Sequence, residues 1–214
     1  GLSAMLRARM LGRARAALSR AAAGARALCD TPTSAASHRF TELPREHYND
    51  EQEAVAKAIL EGPRDRLELP HKVWIQHSPR LGNYAQALGG YVRLESTLPL
   101  RLSELAILVT GVANRSRHEW VVHEPIARRA GIPEEWMAAI KEGRRPDFGD
   151  DEAARAVHDV AAELYAHRRI SDATFDHARD HIGPTGIVEV TGIMGYYTSV
   201  AMLLNAFELG VAEE

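Results

Sequence analysis

Side chains suited to proton transfer lie close together near the middle of the sequence. Glu119 and His123 are four residues apart in a segment whose pattern predicts a helix over 117–130, so both lie on one helix face. A carboxylate beside an imidazole fixes its tautomer and gives a positioned general acid or base. Ser116 lies one turn earlier, and Trp120 lies beside the pair. A second interpretation stays open, because an exposed pair that adds only about 0.3–0.5 kcal/mol to helix stability has the same spacing.

A second carboxylate, Glu104, lies in the preceding predicted helix, 101–113. It is off the main apolar face, which alone indicates a solvated acid. Its neighbours on the helical wheel are Ile107 and Leu108, however, so the helix is apolar nearly all round and predicts partial burial of Glu104. A buried, unpaired carboxyl holds its proton to higher pH, which suits a general acid near neutrality.

Residue counts and spacings exclude several other kinds of site. Cys29 is the only cysteine, so the chain has no internal disulfide, Cys-x-x-Cys redox pair or thiolate zinc cluster. His118 and His123 are five apart and lie on different sides of a regular helix, which disfavours a metal bound by His118, Glu119 and His123. We therefore predict no structural metal and no organic cofactor. The remaining histidines on predicted polar helix faces are expected at the surface: His158, His167, His177 and His181.

The first 40 residues differ in composition from the rest. Six arginines precede the first acid, Asp30, although the net charge of the 214 residues is −3. Such a basic, Ala-rich arm is typical of a mitochondrial transit peptide, but also of an extended reading frame or an assembly arm. We expect a separate arm and linker over 1–40 and one domain over 41–214, located in the cytoplasm or, with a transit peptide, in the mitochondrial matrix.

No basic aromatic-rich patch indicates nucleic acid, and no uninterrupted apolar run indicates a membrane span.

The helical spacing of apolar residues predicts an all-α fold, and its helices would position the candidate acid–base residues. The start signals are Asn49 and Ser78-Pro79, with breaks at Gly62-Pro63 and Gly183-Pro184. Further helices are predicted over 101–113, 117–130, 133–141, 151–168, 171–182 and 185–207. The last is apolar almost all round and is expected to be central. Pro125 predicts a kink one turn beyond His123.

The segment RLSELAILVTGVANRSRHEWVVHEPIARRAG resembles the central motif of the carboxymuconolactone decarboxylase and alkyl hydroperoxidase D-like (AhpD-like) superfamily. In its peroxidase branch a Glu precedes a Cys-x-x-Cys pair, a His and a Gly at the spacing that Glu104, Ser116, Glu119, His123 and Gly131 have here. Ser116 and Glu119 occupy the cysteine positions. The resemblance therefore implies loss of thiol peroxidase chemistry and retention of the acid–base half.

The resemblance extends over about residues 45–210 and implies an all-α, multi-helix domain that forms a homo-oligomer, a trimer or hexamer. It implies a cofactor-free lyase or isomerase, decarboxylase-like, acting on a small lactone or organic acid through His123, Glu119 and Glu104. We expect a substrate pocket lined by Ser116, Trp74, His77, Trp120, Tyr196 and Tyr197. Two alternatives remain: a non-catalytic oligomer that binds a ligand or a partner, and a peroxidase that uses an outside thiol.

Overall fold

A computed structural model describes residues 37–210, and the basic arm with Cys29 lies outside them. Within this range the protein is all-α, as predicted, with one isolated β-bridge between Ser37 and Phe40. The helices are α1 (Asp50–Leu60), α2 (Leu69–His77), α3 (Pro79–Gly90), α4 (Leu100–Ala113), α5 (Arg117–Arg129), α6 (Glu134–Lys141), α7 (Glu152–His167) and α8 (Asp172–Ala206). A 3₁₀ turn, Arg45–His47, precedes α1, and a π-helical turn, Tyr91–Glu95, follows α3.

Helix α4 is the central helix of the fold. Every residue from Leu102 to Gly111 is buried, and α4 packs against α5, α6, α7 and α8. The last helix, which we expected to be central, packs against α2, α3, α4, α5, α7 and the π-helical turn, which agrees with that expectation. Although α8 packs against α7 and α4, it leaves large apolar side chains such as Val188 and Met202 exposed.

Helix α8 is interrupted where the sequence predicts a break. Gly183 has φ 70° and ψ 169°, a left-handed backbone conformation that glycine adopts without steric cost, and Pro184 follows it. Length and composition would allow α8 to cross a membrane, but half of its most apolar 18-residue window is buried inside the protein. A core helix has the same properties.

Helix α2 is absent from the sequence prediction. It begins without a Ser, Thr, Asp or Asn cap; instead Glu68 is the N-cap residue and the side chain of His71 accepts the Glu68 backbone N–H at 3.0 Å. Pro70 is at the second helical position, where its missing N–H costs nothing. The predicted kink at Pro125 did not break α5, which runs through it to Arg129.

A stripe of large apolar side chains on α3 and the first residue of the π-helical turn faces outward. Leu81, Tyr84, Leu88 and Tyr91 recur at helical spacing, and all four are exposed, Tyr84 at 65%. A face of this kind, unusual on a monomer, is typical of a surface that contacts another chain.

Candidate active site

Helices α4 and α5 form a tight hairpin that brings the predicted catalytic residues together. Only Asn114–Ser116 separate the two helices, and Ser116 caps α5 by accepting the Glu119 backbone N–H at 3.4 Å. Gly111 permits the close approach, because a Cβ there would lie 3.1 Å from the Cβ of Glu119. Side chains from both helices can therefore meet inside the hairpin.

Glu104, His123 and Glu119 form one buried chain of ionisable groups. His123 Nδ1 lies 2.8 Å from Glu104 Oε2, which is hydrogen-bond distance. On the other side, His123 Nε2 lies 3.7 Å from Glu119 Oε2. All three side chains are at most 2% exposed. When the Glu104 carboxylate accepts the Nδ1 proton, Nε2 is left as a base directed towards Glu119.

Glu119 has the environment of a general acid. Burial raises the pKa of its carboxyl to about 7, opposed by His123 and Arg93. A carboxyl with this pKa is present in both protonation states near neutral pH, so it can give or take a proton. The row of three groups, Glu104, His123 and Glu119, can thus supply both a base and an acid.

A small cavity lies beside this chain of groups. It has a volume of about 20 Å³, room for about one water molecule. Glu119, His123, His118, Tyr196 and Tyr197 contribute to its lining. Within residues 37–210, Glu119 Oε1, His118 Nδ1 and the Tyr197 hydroxyl are buried without a hydrogen-bond partner. Buried polar atoms are nearly always paired, so three unpaired ones around one cavity indicate a place for a bound molecule.

Two arginines complete the cavity wall, and we did not predict either of them from the sequence. Arg64 precedes α2, and Arg93 lies in the π-helical turn after α3. Each lies near Glu68, at 3.6 Å for Arg64 Nη1 and 3.4 Å for Arg93 Nη1. Burial alone would raise the pKa of the Glu68 carboxyl, but Arg93, His71, Arg66 and Arg64 together lower it. This cluster is therefore two cations around one anion, with net positive charge.

The same cluster connects the cavity to the surface. A cleft of about 190 Å³ is lined by Pro63, Asp65, Arg66 and Leu94, together with Arg64, Glu68 and Arg93. The last three residues line the inner cavity as well. The Arg64–Glu68–Arg93 cluster therefore lies between the outer cleft and the acid–base groups.

Two further histidines near the site are neutral at physiological pH. Burial lowers the pKa of His71 to about 4, with a further contribution from Arg64. Burial also lowers the pKa of His118 to about 4. The sequence leaves open whether His118 joins the polar cluster or faces solvent, and in the structure its side chain lines the cavity. Pro70 of α2 lines the same cavity, so the fold brings the start of α2 close to His118.

The predicted substrate-binding residues divide into two groups. Tyr196 and Tyr197 line the cavity, and the ring of Tyr197 meets the imidazole of His123 edge-on at 5.0 Å. The Tyr196 hydroxyl accepts a hydrogen bond from Arg64 at 3.2 Å, and a Cβ on Gly89 would overlap both side chains. Gly89 is thus needed for the position of this pair.

The other predicted residues do not line the cavity. Trp74 is buried behind Tyr196, at 6.4 Å between ring centroids, and the Trp120 ring contacts Lys141. Ser116 serves as the helix cap. The prediction for His77 was wrong, because its exposed ring stacks on Phe207 at 5.5 Å, where α2 ends against the C-terminal end of α8.

A larger cavity, about 510 Å³, lies elsewhere, along α4, α6 and α7. His158 lines it and is 7% exposed, so the expectation of a surface histidine was wrong here. Its neighbour Asp159 pairs with Arg145 at 2.7 Å. None of the acid–base groups described above reaches this cavity.

Comparisons with known proteins agree with the motif. Residues 79–163 match the model of the Carboxymuconolactone decarboxylase family. No curated protein is significantly similar to the chain.

Two solved structures share the fold at low sequence identity. One is a protein of unknown function from Agrobacterium tumefaciens, described as a proposed antioxidant defence protein AhpD, with TM-score 0.56 and 19% identity over 66% of this chain and 97% of that chain. The other is a cysteine-to-alanine variant of the debrominase Bmp8 in complex with 2,3,4-tribromopyrrole, with TM-score 0.63 and 17% identity over 82% of this chain and 92% of that chain. Residues 79–163 are thus similar to the Carboxymuconolactone decarboxylase family, and the described residues share the all-α fold of the two solved structures.

Proposed function

We propose that this protein is a cofactor-free acid–base enzyme, a lyase or isomerase that acts on a small organic acid or lactone. The observation that carries the proposal is the buried chain Glu104–His123–Glu119 beside a cavity whose polar wall atoms are unpaired. Three ionisable side chains are costly to bury in a protein this size, and their arrangement matches the needs of proton transfer.

In the proposed reaction, each of the three groups has a separate task. Glu104 accepts the Nδ1 proton of His123 and fixes the tautomer, so that Nε2 is the base. Nε2 removes a proton from the substrate. The distance of 3.7 Å between Nε2 and Glu119 Oε2 is too long for a hydrogen bond, so both atoms remain available. Protonated Glu119 then supplies the proton that a substrate carbanion or enolate needs.

Arg64 and Arg93 support the choice of an anionic substrate. Both face Glu68, and a substrate carboxylate that reaches the inner cavity from the cleft would meet the same two guanidinium groups. Guanidinium groups bind carboxylates by paired hydrogen bonds. Because the inner cavity holds only about one water molecule, the substrate has to displace the Glu68 side chain from at least one arginine.

One specific observation favours the alternative, a non-catalytic oligomer that binds a ligand or a partner. The cavity beside the acid–base groups is small, whereas the exposed stripe on α3 is extensive. A peroxidase that uses an outside thiol is disfavoured, because Ser116 and Glu119 occupy the cysteine positions.

The test is proton NMR of γ-carboxymuconolactone and a panel of related lactone and keto acids, incubated with the full chain. We expect conversion by the wild type, loss of conversion with His123→Ala, and at least about 100-fold slower conversion with Glu104→Gln. His167→Ala, on the exposed end of α7, is the matched control and should convert substrate at the wild-type rate. Equal rates for wild type and His123→Ala would contradict the proposal, and no conversion of any compound would favour the binding alternative.

We also propose that the chain forms a homo-oligomer through the stripe Leu81, Tyr84, Leu88 and Tyr91. These four side chains are exposed within the described residues, although their spacing is that of a buried helix face. A second copy of the chain is the occupant that the family resemblance implies. Burial of large aromatic and aliphatic side chains at such a contact is the main source of association free energy.

A further inference from the structure

Three ligand-type side chains meet at the start of α7, away from the candidate active site. Glu152 is the first residue of α7, and His177 and His181 lie four residues apart on the first segment of α8. Their nearest side-chain nitrogen and oxygen atoms all lie within 4.8 Å of one another. The two imidazole rings are 4.5 Å apart between centroids, so both point to the same side of α8.

One atom of this cluster is buried and lacks a partner. His177 Nε2 has no hydrogen bond to any of the residues 37–210, and its nearest charged neighbour is Glu152 Oε2 at 3.4 Å. A cation bound between this nitrogen and the Glu152 oxygen would give the buried ring nitrogen a partner.

The 3.4 Å separation also agrees with coordination geometry. Zinc binds imidazole nitrogen and carboxylate oxygen at roughly 2.0–2.2 Å, and the edge of a tetrahedron of that size is roughly 3.4 Å. His177 and Glu152 therefore already lie at the distance that two ligands of one zinc ion have. His181 is exposed, and its ring can rotate to reach a third position.

We propose that Glu152, His177 and His181 bind one divalent transition-metal ion of the zinc class. Two imidazoles and one carboxylate favour such an ion over Mg²⁺ and Ca²⁺, which prefer all-oxygen ligands. Arg155 lies 3.0 Å from Glu152 Oε2 and competes for this oxygen, so the metal has to displace that ion pair or use the other oxygen. This site revises the prediction of no metal and the prediction that His177 and His181 are merely surface residues.

A metal at this position would add a link between α7 and the first segment of α8, which already share the hydrogen bond from Thr174 Oγ1 to Glu163 Oε1 at 2.7 Å. Glu152 follows the loop 143–150, and His181 lies two residues before the break at Gly183. The ion would therefore connect the beginning of α7 to the end of the first α8 segment and oppose their separation. The fourth coordination position is left for water or an outside ligand.

The experiment is isothermal titration of Zn²⁺ into the full-length, tag-free protein after treatment with a chelator. We expect one ion per chain for the wild type and for His167→Ala, and an affinity at least about 10-fold lower for His181→Ala and Glu152→Gln. His181 is exposed, so its substitution should leave the fold intact, which circular dichroism checks. The same affinity in His181→Ala and His167→Ala would overturn the proposal.

Cobalt gives an independent measurement of the coordination sphere. Co²⁺ in a four-coordinate site with nitrogen and oxygen ligands absorbs visible light far more strongly than hexa-aqua Co²⁺. We expect this absorption with the wild type, its loss in His177→Ala, and its displacement by one equivalent of Zn²⁺. A spectrum unchanged from free Co²⁺ at saturating protein would overturn the proposal.

Discussion

The raised pKa of Glu119 predicts an unusual dependence of stability on pH, and Glu119→Gln tests it. Burial raises the pKa of the Glu119 carboxyl from its ordinary 4.5 to about 7 in the folded protein. The folded state therefore favours the protonated form. Between pH 4.5 and 7 the unfolded chain loses this proton readily and the folded chain does not, so the wild type loses stability as the pH rises through this window.

The size of the effect follows from the same two values. Each pH unit separating the folded and unfolded pKa corresponds to about 1.4 kcal/mol, so the full loss is about 3 kcal/mol and is complete above about pH 7. The amide of the Glu119→Gln variant cannot ionise and carries no such loss. The free energy of unfolding of Glu119→Gln, minus that of the wild type, should therefore increase by about 3 kcal/mol between about pH 4.5 and pH 8. The new amide can also change the free energy of unfolding by a constant amount. Because that amount is the same at every pH, it does not alter the predicted increase.

Urea denaturation followed by circular dichroism, at a series of pH values from about 4.5 to about 8.5, measures this difference. Glu124→Gln is the matched control, because Glu124 lies on the same helix and only pairs with Arg128 at the surface. Its difference from wild type should vary by less than about 1 kcal/mol. A pH-independent difference for Glu119→Gln would refute the raised pKa. A difference that decreases with pH would show instead that Glu119 is ionised and stabilised by a protonated imidazole.

Three other substitutions test the packing around the site and the proposed assembly. Gly89→Ala places a Cβ where the Tyr196 side chain lies, so we expect a loss of about 1–3 kcal/mol in the free energy of unfolding; an unchanged urea midpoint would contradict the packing described. Burial alone would raise the pKa of Glu189, but hydrogen bonds from Thr97 and its neighbours lower it to about 2. The wild type should accordingly lose stability as the pH falls from 4.5 towards 2 while Glu189→Gln loses less, and parallel acid-unfolding curves would count against this. Tyr84→Glu should shift the mass measured by light scattering from an oligomer to a smaller species, and an unchanged oligomer mass would exclude this surface.

Much of the site could be predicted from the sequence because its acid–base groups are local. Glu104, Glu119 and His123 lie on two successive helices, and helical spacing alone places the last two on one face. What the sequence could not give is the hydrogen bond between Glu104 and His123, since a helical wheel shows a face and not the neighbour it meets. The burial of Glu104 was favoured by Ile107 and Leu108 beside it, and the structure agrees.

The cationic wall of the site was not predictable in the same way. Arg64 comes from a turn, and Arg93 comes from a π-helical turn, where the wider winding changes the direction of each side chain. An α-helical wheel therefore gives the wrong face for Arg93. Glu68 is also outside any periodic pattern. In the sequence alone, charged residues outside a periodic pattern indicate solvated surface. Only the fold shows that these three lie close together.

Short elements account for the errors around α2. Its nine residues carry no standard cap, and a capping histidine is rarely recognised as one. Because α2 was missed, His77 could not be placed at its end, against Phe207, and was instead assigned to the pocket.

Because the site is divided between two stretches of sequence, each part can be altered separately. The proton-transferring groups all lie within 20 consecutive residues of one hairpin, Glu104 to His123, whereas the guanidinium groups come from residues 64–93. Substitutions in the second stretch can alter which molecule enters without disturbing the tautomer of His123. Under the proposed function, exchanging residues 63–95 with those of a relative should change which compound is preferred and leave the contact between Glu104 and His123 intact.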